Sequence, residues 1–463
     1  MITLPRPAPP SARPAMPAAL KTLLKARWFQ PALQLITLFG FTLAILAGFF
    51  GTPAGSRNFG IVFVWIVWWA LLIIVLVPFF GRVWCTVCPL PAPGEWLQRR
   101  GIIRRTPGKL HTLGKRFPKR FKNMWLQNFG FLGIASFSAI ILTRPHISAG
   151  VLLAFVLAAL GLSLVYEKRV FCRYVCPVGG FIGLYAMMAP LELRVRDCKT
   201  CLEHGAKDCV VGNDQGYGCP WMVYPGNLKR NTYCGLCFEC IKTCPKDNIT
   251  IRLRPFGSDL FVAQERRLDE AYKAFIMLGC ALVYSTVLLG RWGWLKNWAN
   301  MDTLPHWLLY AAGLWLFNLV LLPGLFWGAA WIGRKLAGEM KIRDLFVAFA
   351  YTLVPLGLAA WIAFSLGFVF VNGSYALSVL SDPFGWGWNL FGTADAAWTP
   401  FAPQLLSFLQ VGVLSVGLMF AVNTAYRSAR QFYADHRGAF TAMLPVAGLL
   451  TLITGVFMVL YLG

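Results

Sequence analysis

The chain has 463 residues, 57% of them hydrophobic and only 13% charged, with 19 tryptophans and a mean hydropathy of +0.58. That composition excludes an ordinary soluble globular protein. A formal net charge of +24 would suit a nucleic-acid binder, but the cations are segregated along the chain in a way that excludes this class as well.

In chain order, residues 1–20 are rich in Pro and Ala and have no apolar core, so 1–31 reads as a disordered cytoplasmic tail rather than a cleaved signal. About nine apolar runs long enough to cross a bilayer follow. They lie near 32–50, 61–80, 124–143, 147–166, 272–290, 305–333, 345–370, 403–425 and 440–461. The segments outside them alternate in charge. One set (1–31, 81–123, 167–271, 334–344 and 426–439) is rich in Lys and Arg, whereas the other carries only Arg57, Arg144, Arg291 and Lys296. This positive-inside pattern predicts a cytoplasmic N-terminus and an outer C-terminus, with the first run as an uncleaved anchor. The basic stretch from Arg99 to Lys122 reads as a topology determinant beside anionic lipid; a docking surface for an acidic electron-transfer partner is the alternative.

Twelve of the thirteen cysteines fall on the basic, reducing side, which argues against a disulfide framework. The clearest motif is YCGLCFECIKTCPKDN. Cys234, Cys237, Cys240 and Cys244 follow the C-x2-C-x2-C-x3-C-P run of bacterial ferredoxins, in which three thiolates grip one cubane and the fourth serves its neighbour. Zinc sites come instead as paired C-x2-C motifs. Upstream, DCKTCLEHGAKDCVVGNDQGYGCPW reads as a stretched second half. Cys198, Cys201, Cys209 and Cys244 then hold one 4Fe–4S cluster, and Cys219, Cys234, Cys237 and Cys240 the other. His204 reads as a loop residue, and Cys280, alone in an apolar run, as packing.

A repeat precedes this segment. RVWCTVCP from Arg82 and RVFCRYVCP from Arg169 each follow an apolar run, with Cys85-x2-Cys88 in the first and Cys172-x3-Cys176 in the second. Three readings stay open for these four cysteines: structural thiols at helix ends stopped by Pro89 and Pro177, a third cluster or a metal ion, or thiols for disulfide exchange or Cu(I) contact.

Paired cysteine–proline motifs at span ends, followed by CPW…YCGLCFECIKTCP, resemble the NosR/NapH-type membrane polyferredoxins over roughly residues 61–255. The resemblance implies an inner (plasma) membrane protein of a prokaryote that relays electrons between the quinone pool and a redox partner protein in a respiratory or denitrification-type chain. Copper-handling relatives imply an alternative, an assembly factor that reduces or delivers a metal to a respiratory enzyme. Two departures stand out: Cys85 and Cys88 are one residue closer than the family's C-x3-C-P, and no outer segment is long enough for the flavin domain of the nitrous-oxide regulators.

The remaining runs hold few chemical groups. His146 and His306 fall at outer ends of spans, and His111 and His436 in basic segments, which does not make the facing pair a haem needs. The runs carry almost no interior charge, which speaks against ion pumping. Phe384, Trp386, Trp388, Phe391 and Trp398 in 371–402 read as an interfacial belt, or as a quinone or docking surface. The expected fold is an all-α polytopic membrane protein with a small α+β two-cluster ferredoxin insert on the cytoplasmic side. Its parts are the tail 1–31, a four-span region 32–190, the insert 191–262 and a five-span region 263–463. No residue reads as a catalytic acid, base or nucleophile, so an electron-transfer subunit is expected rather than a stand-alone enzyme.

Overall fold

Apolar runs of spanning length close nearly all of their backbone hydrogen bonds within themselves, and the chain is mostly helical for that reason, even with Pro445 inside the helix His436–Leu462. The computed structural model describes residues 16–103, 110–262, 266–290, 292–338 and 340–462; most of the expected tail, part of the Arg99–Lys122 stretch and Arg291 lie outside them. Among the described residues eight helices are long and apolar enough to cross a membrane. They are Phe29–Phe50, Phe59–Phe80, Pro145–Val165, Leu268–Leu289, Leu304–Ala337, Ile342–Asn372, Pro403–Ala429 and His436–Leu462.

The ninth expected span, 124–143, is not one helix. It forms Trp125–Ser136 and Ser138–Thr143, separated at Phe137, where φ is −107° and ψ is 8°. The Trp307 indole donates to the Ser136 carbonyl at 2.9 Å, and the Ser136 hydroxyl back-bonds to Leu132. A helix would need that carbonyl for the amide four residues on, so a side chain from elsewhere in the fold breaks the run. Part of the expected tail is ordered instead: Ala18–Lys25 is helical, and Lys21 and Lys25 pair with Asp247.

The chain divides into two compact units. The first comprises residues up to Gly40, Leu76–Lys122 and Phe155–Val262; the second comprises Phe41–Val75, Asn123–Ala154 and everything from Ala263. In the first, β1 (Leu191–Val195) and β2 (Ile249–Leu253) pair antiparallel with Leu191 opposite Leu253 and Val195 opposite Ile249. Leu193, Val195 and Ile249 from this two-stranded sheet join Leu24, Leu236 and Ile241 in a small core that also buries Cys209 and Cys240. Asp259 ties the following turn down: it receives Arg254 and the Asn231 amide, and the Asn231 side chain donates to the Leu191 carbonyl at 2.8 Å.

In the second unit small residues allow close helix approach. A Cβ on Gly417 would fall 2.3 Å from that of Ala359, and one on Gly333 would fall 2.1 Å from the Ala442 carbonyl oxygen. The helix expected from residue 272 begins at Leu268 and so buries Asp269, Glu270 and Lys273 in its first turns. Asp269 accepts from the Met124 amide at 2.7 Å, its carbonyl accepts from the Asn128 side chain at 3.0 Å, and Glu270 accepts from the Tyr351 hydroxyl. These two carboxylates lie where the sequence reading placed only a connecting segment. Cys280 is buried in the same helix, as packing requires.

Candidate metal centre

The two repeats end in turns of different width. Trp84–Val87 is one α-turn and Cys88 leaves it at φ −57°, ψ 130°. Phe171–Val175 is a π-turn, with the Cys176 amide bonded to the Phe171 carbonyl at 2.8 Å, and Cys176 leaves it at φ −60°, ψ 114°. One extra residue is absorbed as a wider turn, and both second cysteines then exit in the same extended direction into a proline. The unequal spacing therefore does not set the two pairs apart. Thr86 fixes the first turn: its hydroxyl donates to the Leu236 carbonyl at 2.6 Å, and its carbonyl accepts from the Gln30 and Gln34 side chains.

The four repeat cysteines share one neighbourhood. Burial, then Cys176, Cys88 and Cys85 in turn, pushes the Cys172 thiol well up, with Arg169 opposing. Burial pushes Cys88 up too, Cys85 and Cys176 adding to it, and burial pushes Cys176 up to about 11. The Gly179 amide donates to the Cys176 sulfur at 3.2 Å.

The ferredoxin-like segment sorts its cysteines into two further sets. Burial pushes Cys240 well up, with Cys237, Cys234 and Cys219 adding, and Cys237 likewise with Cys219 as its largest charged neighbour. Burial first and Cys219 next raise Cys234 to about 11. Cys209 is pushed up to about 11 by burial, then by Cys244 and Cys201, while Cys201 rises through burial, Cys244 and Cys198. Leu236 and Phe238 adopt φ of 48° and 60°, a left-handed conformation that non-glycine residues rarely take and that curls the Cys234–Cys240 loop. Around the other set, Asn248 donates its amide to the Cys244 sulfur at 3.3 Å and its side chain to the Cys201 sulfur at 3.1 Å.

Several buried donors around Cys219 and Cys234 have no partner among the described residues: Trp221 Nε1, Thr232 Oγ1, and Nε and Nη2 of Arg82. Buried polar groups are ordinarily satisfied. An anionic, sulfur-rich group held by these cysteines would supply the acceptors. Among the described residues no three His, Cys, Asp or Glu side chains stand close enough to share a single ion. The residues present fit a 4Fe–4S cluster. Gly235 is part of the same cradle, since a Cβ there would fall 1.9 Å from Trp221 Nε1. Gly235→Ala is expected to displace Trp221 at a cost of roughly 1–3 kcal/mol and to lower iron content by about four per chain, read by iron assay; full iron content would refute the fit.

Between the sets lies an ion pair that the sequence reading missed. Arg169 donates Nε and Nη2 to Glu95 at 2.7 and 2.6 Å, and Nη1 to the Cys85 carbonyl at 2.6 Å. Burial alone would raise the Glu95 carboxyl, but Arg169 and then Arg99 hold it below its usual range. Arginine at a fixed place in both repeats was the available signal.

The other sequence candidates have partners of their own. His204 faces Asp208 at 3.1 Å. His146 bonds the Gly48 carbonyl at 2.8 Å, and His306 bonds Asp302 at 3.0 Å and stacks on Trp298. In 371–402, Phe384 stacks on Trp386, and Arg57, Asp382, Trp388 and Trp398 line a cleft of ≈ 570 Å³.

Residues 61–109 and 148–195 each match the 4Fe-4S binding domain family. The cysteines inside those ranges are Cys85, Cys88, Cys172 and Cys176, the four whose role the sequence left open. YccM of Escherichia coli, provisionally named an electron transport protein, is 26% identical over 83 residues, 18% of this chain and 21% of its own. Two uncharacterized proteins of Methanocaldococcus jannaschii also match. MJ0750 is 23% identical over 195 residues, 39% of this chain and 76% of its own; MJ0749 is 32% identical over 99 residues, 21% and 37%. The chain thus spans about a fifth of the length of the first of these relatives. No solved structure matches.

Proposed function

We propose that the chain is a membrane-bound iron–sulfur electron-transfer protein that relays electrons between the quinone pool and a redox partner, with its iron–sulfur part on the cytoplasmic side. The observation that carries this reading is the gathering of twelve cysteines in one unit into three sets of electrostatic neighbours. Cys198, Cys201, Cys209 and Cys244 would hold one cluster, Cys219, Cys234, Cys237 and Cys240 a second, and Cys85, Cys88, Cys172 and Cys176 a third. A bound 4Fe–4S cluster supplies reversible uptake of one electron. The chain's own residues bury Cys85, Cys172, Cys176, Cys209, Cys219, Cys237 and Cys240, leaving Cys198 exposed, and aim amides at the Cys176 and Cys244 sulfurs. Cys209 lies in electrostatic reach of both Cys219 and Cys240, so the two ferredoxin-like sets adjoin. The match of both repeats to a 4Fe-4S binding domain and the resemblance to NosR/NapH-type proteins support the same reading.

The rival reading, an assembly factor using the repeat cysteines as working thiols, is weakened by their burial. Exchange needs a thiol that a partner can reach, and Cys85, Cys172 and Cys176 are buried. Cys85→Ser separates the two. In isolated membranes, quinol-driven reduction of the iron–sulfur centres is expected to be lost. Intact reduction together with failed maturation of a copper enzyme would overturn the electron-relay role of these cysteines.

A further inference from the structure

Arg82 and Arg169 occupy the same place in the two repeats, three residues before the first cysteine, and both are 3% exposed. Their surroundings differ. Arg169 is met by Glu95 in a two-pronged ion pair. Arg82 has no carboxylate partner among the described residues. Its Nη1 donates to the Thr232 carbonyl at 2.5 Å, its guanidinium lies 4.3 Å from the Trp221 ring centre, and Nε and Nη2 are unpartnered. Gly183 leaves room for it, because a Cβ there would fall 2.6 Å from Arg82 Nη1.

Arginine does not lose its proton in proteins, and a buried charge without a counter-charge costs several kcal/mol. The anion that answers Arg82 must therefore be something the neighbouring residues hold. Thr232 adjoins Cys234 by two residues and Trp221 follows Cys219 by two, while Cys176 of the repeat set also lies in Arg82's electrostatic reach. A 4Fe–4S cluster with four thiolates is a net anion, and it becomes more negative on reduction.

We infer that Arg82 is the fixed positive charge that raises the reduction potentials of the two centres flanking it, at the Cys85–Cys88–Cys172–Cys176 and Cys219–Cys234–Cys237–Cys240 sets. It acts through the clusters' surroundings and is a positioning residue. Glu95 answers Arg169, so of the two corresponding arginines only Arg82 is without a carboxylate partner among the described residues. The inference rests on the proposed function, and its test distinguishes the two.

Potentiometric titration followed by EPR on the full-length protein is the measurement. Arg82→Gln is expected to make reduction at both centres about tenfold less favourable, about 59 mV lower for a one-electron couple, while Arg82→Lys stays near the wild type. Unchanged potentials in Arg82→Gln, or an equal fall in Arg82→Lys, would overturn the role of the charge. If Arg82→Gln retains no iron, pulsed EPR on protein carrying 15N-guanidino arginine replaces it. A nitrogen coupling present in the wild type and lost in Arg82→Lys is expected; no coupling in the wild type overturns the inference. A wild-type protein without 4Fe–4S signals would overturn the proposed function itself, and this inference with it.

Discussion

Protein purified without oxygen is expected to hold about twelve irons per chain, as three cubanes. Cys172→Ser is expected to hold about eight, and so is Cys237→Ser. The two losses should differ in kind. Removing Cys237 takes the centre whose loop is curled by Leu236 and Phe238, whereas removing Cys172 leaves that loop untouched. About eight irons in the wild type, unchanged by Cys172→Ser, would mean that the repeat cysteines hold no cluster. About four would remove the stretched half, Cys198, Cys201 and Cys209, from the ligand set.

Glu95→Ala is expected to be the most destabilising single change in the first unit. It leaves the buried Arg169 guanidinium without its counter-charge, a loss of roughly 3–5 kcal/mol for a broken buried pair. Arg169 also donates to the Cys85 carbonyl, so the first repeat turn should loosen with it. The pair predicts an acid response as well. Arg169 and Arg99 hold the Glu95 carboxyl below its ordinary value of 4.5. Its contribution is therefore fully present above about pH 4.5 and is lost as pH falls through the lower folded value. Thermal unfolding in detergent, followed between about pH 7 and pH 3, should show this acid loss in the wild type and its absence in Glu95→Gln. Equal melting of Glu95→Ala and wild type at neutral pH would show that the pair carries no weight.

How much of this was legible beforehand depends on the range of the interaction. The ligand spacing expected in Cys234–Cys244 is local chemistry, because a cubane dictates how far apart its thiolates can stand along a short loop. Apolar runs are equally local, and eight of the about nine expected from the sequence are helices of spanning length. The run at 124–143 failed because its hydrogen bonding is decided by Trp307, far along the chain. Composition cannot register a side chain that takes a carbonyl from another helix. The start at Leu268 failed for a related reason. Asp269 and Glu270 look like loop residues until Met124, Asn128 and Tyr351 are seen to satisfy them.

The repeat shows the division most clearly. RVWCTVCP and RVFCRYVCP by themselves determined two cysteine pairs at the ends of apolar runs, each closed by a proline and preceded by an arginine. Their different spacings left the pairs unequal on paper. Only the tertiary structure decided that a π-turn absorbs the extra residue, so that the pairs leave their turns alike. It also decided the fates of the two arginines. Identical in sequence position, one meets Glu95 and the other, among the described residues, a carbonyl and an indole. The physical reason is that a residue's identity sets the charge it carries, whereas the charge it meets is set by contacts across 74 residues for Arg169 and 150 for Arg82.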